Sequence, residues 1–165
     1  MTLQAAHRPQ MAQGYGISSS ANGLLTWDWV DSRMAASRNY WISTTRPDSR
    51  PHVVPVWGVW LDGVLYFGGD RQARRSRNLA VNPQASVHLE SGDEVVIIEG
   101  RVEEVEHDLE LLTRIAEAMA VKYPPFKPDP EPAPGTAMYR VRAQTVFAWT
   151  EQDYPNTATR WKFDQ

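Results

Sequence analysis

The sequence predicts a mainly β domain of α+β type: a six-stranded antiparallel barrel, closed or partly closed, with about three flanking helices. Three observations predict it. Short runs rich in β-branched and aromatic residues alternate with period two, Asp-Gly and similar turns follow them closely enough to make hairpins, and long strands carry bend signals. The strands never alternate regularly with helices, which argues against a doubly wound parallel sheet. At 165 residues the chain is long enough for one domain. Residues 1–25 read as a flexible polar arm and 26–165 as the barrel domain.

In order, Thr26 is a good N-cap, and Trp27, Val30 and Met34 share one apolar face of a helix running to about Ser37. Asn39 to Thr45 reads as a strand, Arg46-Pro47-Asp48-Ser49 as a turn, and Arg50 to Trp60 as one long returning strand. Leu61-Asp62-Gly63 turns the chain into a third strand, Val64 to Gly68. Asp70 to Val81 reads as a helix of about ten residues, with Asp70 as its N-cap and Asn82-Pro83 as its stop. Ala85 to Ser91 and Val95 to Val105 are two further strands, and Gly100 inside the second predicts a bulge or bend. Leu109, Leu112, Ile115, Ala116 and Met119 form one side of an amphipathic helix from Asp108 to Val121. Six prolines between Tyr123 and Gly135 forbid regular structure and predict a stiff extended connection. Met138 to Trp149 is the last strand, and Glu151 to Gln165 is a polar tail.

Composition removes several functions. Without cysteine there is no disulfide scaffold, thiolate site or thiol nucleophile. The four histidines (His7, His52, His88, His107) are scattered and match no metal motif. No apolar stretch spans a bilayer, and Met1 to Gly23 does not resemble a secretory signal, so a cytoplasmic location is expected. A formal charge of -3 does not favour a nucleic acid or an anionic membrane as partner. The charge is segregated, however. Arg71, Arg74, Arg75 and Arg77 fall within seven residues, whereas ten of the 20 acids lie between Glu90 and Glu117. A basic knot on an acidic chain suits a compact anionic ligand. Seven Trp against four Phe add an expectation of half-wet aromatic walls at ligand sites or interfaces.

The most specific local feature is Phe67-Gly-Gly-Asp-Arg-Gln-Ala-Arg-Arg-Ser-Arg-Asn-Leu79. Gly68 and Gly69 would let backbone approach a ligand, and the helix start beyond them adds free N–H groups beside Arg71, Arg74 and Arg75. Read alone, the same arginines also fit a solvated helix face opposite the acid-rich stretch.

Five motifs stand out in combination: Tyr40 to Trp57, Leu65-Tyr-Phe67, Arg74-Arg75-x-Arg77-Asn78-Leu79, Asn82-Pro83 and Val95-Val-Ile-Ile-Glu-Gly100. Together they resemble the pyridoxamine 5'-phosphate oxidase-like split β-barrel superfamily, and within it the flavin and deazaflavin oxidoreductase branch. The resemblance covers about residues 26 to 163. It implies a homodimer with coenzyme F420, or alternatively FMN, bound at the subunit interface. By the same resemblance His52, Val53, Val54, Pro55 and Val56 line the tricyclic ring, and Arg74 and Arg75 hold the phosphate. Where the family pattern reads Ser-Arg-Lys this chain has Ala73-Arg74-Arg75, which removes a hydroxyl donor and replaces a point charge with a planar fork. Arg160-Trp161-x-Phe163 is similar to a tail that closes over the cofactor, from the partner subunit.

The tail does not resemble the arginine-containing signature of true pyridoxamine 5'-phosphate oxidases, so oxidation of pyridoxamine phosphate is not expected. Coenzyme F420 is placed before FMN because four clustered arginines, with Arg50 nearby, offer more cationic capacity than one phosphate needs. The implied reaction is hydride transfer from the reduced ring to an electron-poor acceptor, with Val54, Val56, Trp57 and Trp161 as walls. His52 and His88 read as hydrogen-bonded strand histidines, so no proton donor is assigned and solvent is available as the acid. A non-catalytic carrier of the cofactor is the alternative from another class.

Overall fold

Thr26 opens the first helix as its side chain predicts: its Oγ1 accepts the Trp29 N–H at 3.3 Å. The computed structural model describes residues 5–106 and 108–164; His107, the first four residues of the arm and Gln165 of the tail lie outside the described residues. Helix α1 spans Trp27–Ala36 and buries Val30 and Met34. Strands β1 (Tyr40–Thr45) and β2 (Pro51–Val56) form the expected hairpin, in register from Tyr40 opposite Val56 to Thr45 opposite Pro51.

The long run to Trp60 is not one strand. It breaks at Trp57-Gly58 and resumes as β3 (Val59–Leu61), which pairs through the Asp62-Gly63 turn with β4 (Val64–Asp70). The reason lies in a distant helix, α3 (Leu109–Lys122). The Gly58 N–H donates to the Tyr123 hydroxyl at 3.0 Å, and the Gly58 carbonyl accepts from Tyr123 Oη at 2.8 Å and Lys122 Nζ at 3.0 Å. Side chains at the end of α3 thus replace the strand neighbours that this peptide would otherwise need.

Helix α2 (Arg74–Val81) is eight residues long, shorter than expected, and Ala73 rather than Asp70 precedes it. Asp70 ends β4 instead, and its carboxylate accepts the Gln72 N–H at 2.6 Å. Next come β5 (Gln84–His88), β6 (Glu94–Glu104), α3 capped by Asp108, and β7 (Thr136–Thr150). The tail supplies a one-turn helix, α4 (Tyr154–Thr157), and a strand, β8 (Thr159–Lys162). There are therefore eight strands and four helices among the described residues, against six and about three expected.

All strand pairs are antiparallel, in the order β2-β1-β5-β6-β7-β4-β3. The two outer strands, β2 and β3, are consecutive in sequence, so the sheet curls into a half-barrel that their ladders do not close. One side of β7 is shared: Thr136 to Arg140 pair with β4, and Thr145 to Ala148 pair with β8. On its other side β7 follows β6 along nearly its whole length, with the predicted irregularity between Glu99 and Gly100. A Cβ at Gly100 would stand 2.1 Å from the Arg142 carbonyl oxygen, which is why glycine occupies the bulge.

The barrel interior buries Val30, Met34, Tyr40, Ile42, Leu65, Phe67, Val87, Ile98 and Val146. A second cluster lies between α3 and the β3–β4 hairpin, where Leu112, Ile115 and Met119 meet Val59 and Tyr66. Strand β4 feeds both, sending Leu65 and Phe67 to one side and Tyr66 to the other. The arm, expected to be loose, is tied down instead. Arg8 donates to the carbonyls of Ser20, Asn22, Asn156 and Ala158, and His7 pairs with Arg160 through two backbone bonds. No helix among the described residues is long and apolar enough to cross a membrane.

Candidate functional site

Strand β4 ends in two glycines, and Arg75 in the first turn of α2 folds back across them. Its Nη2 donates to the Gly68 carbonyl at 3.0 Å, and the guanidinium lies over the Phe67 ring at 5.3 Å from the centroid. A Cβ on Gly69 would come within 2.0 Å of that Nη2, so the absence of a side chain there makes the cradle. Arg75 Nε is buried with no hydrogen-bond partner, and no carboxylate pairs with Arg75 among the described residues. Burial disfavours the charged form and pulls the Arg75 pKa below its ordinary value. A desolvated guanidinium without a counter-ion is costly unless something anionic completes it.

Arg75 lines a pocket of about 580 Å³. Pro55, Val56 and Trp57 at the end of β2 form one wall, with Gly68 and Gly69 beside them. The opposite wall is the α3 face of Leu112, Ile115, Ala116 and Met119. Phe126 and the proline-rich segment from Pro128 to Ala133 close the side, carrying Asp129 and Glu131. Trp57 is held by stacking on Tyr123, with centroids 4.6 Å apart and planes 9° from parallel, and by the Phe126 edge at 5.9 Å. The walls are mostly apolar. Among the described residues Arg75 is the one cation lining them, at the Gly68–Gly69 end, while Asp129 and Glu131 come from the proline-rich segment, an arrangement suited to a flat apolar body whose anionic end meets Arg75.

Arg75 is also one of three arginines whose positive charge bears on His52 of β2. His52 on β2 points inward and lies 3.5 Å, Nδ1 to Oγ1, from the buried Thr44 hydroxyl, which accepts from Asn78 Nδ2 at 3.0 Å. Its imidazole pKa is pulled below the ordinary value by desolvation and then by the positive charges of Arg46, Arg74 and Arg75. Arg46 comes from the β1–β2 turn and Arg74 from the first turn of α2. None of the three pairs with a carboxylate among the described residues, and Arg46 Nε is a further buried N–H without a partner.

Of the sequence-predicted site residues, Pro55, Val56, Gly68, Gly69 and Arg75 meet in the pocket. His52 and Arg74 do not line it; the positive charge of Arg74 bears on His52 instead. The pleat divides the predicted ring wall. Val54 faces the core, whereas Val53 is 49% exposed on the other side of the edge strand. Arg71 points elsewhere and forms an exposed ion pair with Glu104. Trp161 is 2% exposed and packs edge-on to Trp27 at 5.6 Å, so β8 places it in the core of its own chain rather than at the pocket. Arg160 follows it onto β8, opposite Phe147. Arg46, Thr44, Asn78, Phe126 and the α3 face were not anticipated as site residues. The six prolines were the available signal for the pocket's closing segment; the α3 stripe reads in sequence only as core.

The family model for pyridoxamine 5'-phosphate oxidase matches residues 28–150. The chain belongs to the pyridoxamine 5'-phosphate oxidase family. Solved structures share the family fold at low identity. A conserved hypothetical protein from Mycobacterium tuberculosis is 24% identical with a TM-score of 0.68, over 81% of this chain and 89% of that one. HutZ, the heme storage protein from Vibrio cholerae, is 20% identical with a TM-score of 0.61, over 72% and 90%. A structure described as an F420 reductase is 21% identical with a TM-score of 0.53, over 70% and 94%. No curated protein sequence matches the chain. As a member of the pyridoxamine 5'-phosphate oxidase family, the protein has its pocket between β2, β4, α2 and α3.

Proposed function

We propose that this protein is an oxidoreductase that transfers a hydride from reduced coenzyme F420 to an electron-poor small molecule. The observation that carries the reading is Arg75: a half-buried cation without a paired carboxylate, its Nε buried and unpartnered, lining a mostly apolar pocket large enough for a planar ring system. Likeness to an F420 reductase supports the choice of cofactor. Arg74 and Arg75 would hold its phosphoryl group, while Pro55, Val56 and Trp57 would lie along the ring. The reduced ring, when bound, supplies the hydride. Leu112, Ile115 and Met119 would keep water from the α3 wall, and the missing Cβ of Gly69 leaves room for the Arg75 guanidinium, which donates to the Gly68 carbonyl.

FMN is the second reading, and a specific observation favours it. Two of the arginines that argued for a multiply charged cofactor are engaged elsewhere, Arg71 by Glu104 and Arg50 by Asp48. The remaining cluster of Arg46, Arg74 and Arg75 matches one phosphate. Titration of the apo-protein with FMN and with coenzyme F420, followed by absorbance and fluorescence, decides between them. Micromolar binding of FMN with none of the deazaflavin would sink the first reading. Oxidation of the bound reduced cofactor by a panel of enones and quinones then separates enzyme from carrier.

The site is also proposed to be shared between two copies of the chain. Val53 on edge strand β2 and Trp57 just beyond its end, 49% and 46% exposed, form an apolar row next to the pocket that a second protomer would cover.

A further inference from the structure

Trp57 stands where the chain has left β2 and not yet entered β3, so it lies outside the strand ladders. Tyr123 holds it at two points instead. The two rings lie flat on each other, and the Gly58 peptide that follows the indole donates its N–H to the Tyr123 hydroxyl at 3.0 Å. Tyr123, just beyond α3, is only 1% exposed, so this clamp is anchored in packed structure. Gly58 has no room to drift either: a Cβ there would come within 2.7 Å of the Tyr66 carbonyl oxygen on β4.

The Tyr123 hydroxyl has one hydrogen and two carbonyls within reach, Arg38 at 2.6 Å and Gly58 at 2.8 Å. Lys122 resolves the choice. Its Nζ donates to the Gly58 carbonyl at 3.0 Å and to Tyr40 Oη at 2.8 Å, so the Gly58 acceptor is served and the hydroxyl hydrogen is free for Arg38. The Arg38 guanidinium stands over the same two rings, 5.4 Å from the Tyr123 centroid and 5.9 Å from that of Trp57. The α1–β1 connection, the β2–β3 break and the end of α3 are thereby tied at one point. Neither Tyr123 nor Lys122 lines the pocket, whereas Trp57 does.

We propose that Tyr123 and Lys122 are positioning residues for ligand binding: by clamping the Trp57 ring and the peptide after it, they hold the indole as a finished pocket wall before any ligand arrives. An indole on an untied connection would have to be ordered at the moment of binding, and that lost freedom would be subtracted from the affinity. Both residues act through Trp57 and touch no ligand themselves. The inference deepens the cofactor reading above and rests on it for the identity of the ligand.

Tyr123→Phe keeps the stacked ring and removes the hydroxyl; Lys122→Met keeps Tyr123 and removes the second donor to Gly58. Fluorine NMR of fluorotryptophan-labelled protein reads the indole without any ligand, the Trp57 resonance being assigned by its loss in Trp57→Phe. One narrow Trp57 resonance is expected in the wild type and a broadened or split one in each variant, with Trp27 and Trp161 unmoved. Affinity is measured by fluorescence with anilinonaphthalene sulfonate, a flat apolar body with an anionic end. Each variant should bind the dye about three- to tenfold more weakly, and in a Trp57→Ala background the same change should alter affinity by less than about twofold. A residue that only supports the fold would weaken binding equally in both backgrounds. An unmoved Trp57 resonance, a dye affinity indifferent to the variants or to Trp57→Ala, or equal losses with and without the indole overturns the proposal. If Tyr123→Phe does not fold, Lys122→Met decides by the same readings. The cycle is then repeated with FMN and with coenzyme F420. If the dye cycle is as expected and neither cofactor binds, the cofactor reading fails and the clamp stands.

Discussion

Arg75 combines two opposed effects that one substitution separates. Its half-buried charge has no paired carboxylate, which costs stability, while its bond to Gly68 and its position over Phe67 offset part of that cost. Arg75→Ala should weaken cofactor binding by about 1.5–3 kcal/mol, on the order of 10- to 150-fold in Kd, with folding stability held within about 1 kcal/mol. Fluorescence titration and urea denaturation of the same sample check this; parallel losses would mean a structural role. Lys122 makes a second prediction. Burial, and then the charge of Arg38, lower its pKa to about 8 from an ordinary 10.5. Between those values the unfolded chain binds the extra proton, so this residue makes stability rise with pH from about 8 to 10.5. Tyr40 and Tyr123 act oppositely. Burial raises both, so above pH 10 the unfolded chain loses protons that the folded one keeps, and stability falls. Denaturation midpoints should peak near pH 10, and Lys122→Met should flatten the rising limb.

Among the elements, the bulge between β6 and β7 is the least tolerant. A Cβ at Gly100 meets backbone rather than a movable side chain, so Gly100→Ala should cost about 3 kcal/mol or more, measurable by chemical denaturation. This position was legible in the sequence because an isolated glycine inside a strongly β-branched run marks a bulge or a close approach of backbone. Most strands were legible in the same way, through period-two alternation that ends at turn residues. The break at Trp57-Gly58 was not. Nothing local forbids extension there, and the cause is Tyr123 and Lys122, more than 60 residues away. Strand β8 was missed because four residues give alternation too brief to read. At the site, the arginine cluster and paired glycines were visible as motifs. The α3 wall was not, because one apolar stripe serves both the core and the pocket.

For the whole molecule, the curl of the sheet leaves β2 as an edge whose outward residues are apolar. Val53→Arg would place charge in that row without disturbing the interior, where Val54 and Val56 pack. Sedimentation should then report a monomer with near-native stability and weakened cofactor affinity. A wild-type monomer with full affinity would remove the shared-site proposal. The open edge also explains why the pocket combines parts so far apart in sequence. Trp57 reaches it from the end of β2, Arg75 from α2 and Met119 from α3, and only the completed half-barrel brings them together.

Strand β7 has one more consequence, for how the chain assembles. It serves three partners, β4, β6 and β8, none of them joined to it by a tight hairpin except through the short α4 turn. The β1–β2 and β3–β4 hairpins can form from local contacts alone, but the half-barrel cannot close before β7 has been synthesised. A ribosome-bound chain ending near Tyr123 would therefore expose the free sides of β4 and β6 at once. Such nascent edges are where a chaperone would be expected to bind, and where early termination would turn an assembly intermediate into a source of aggregates.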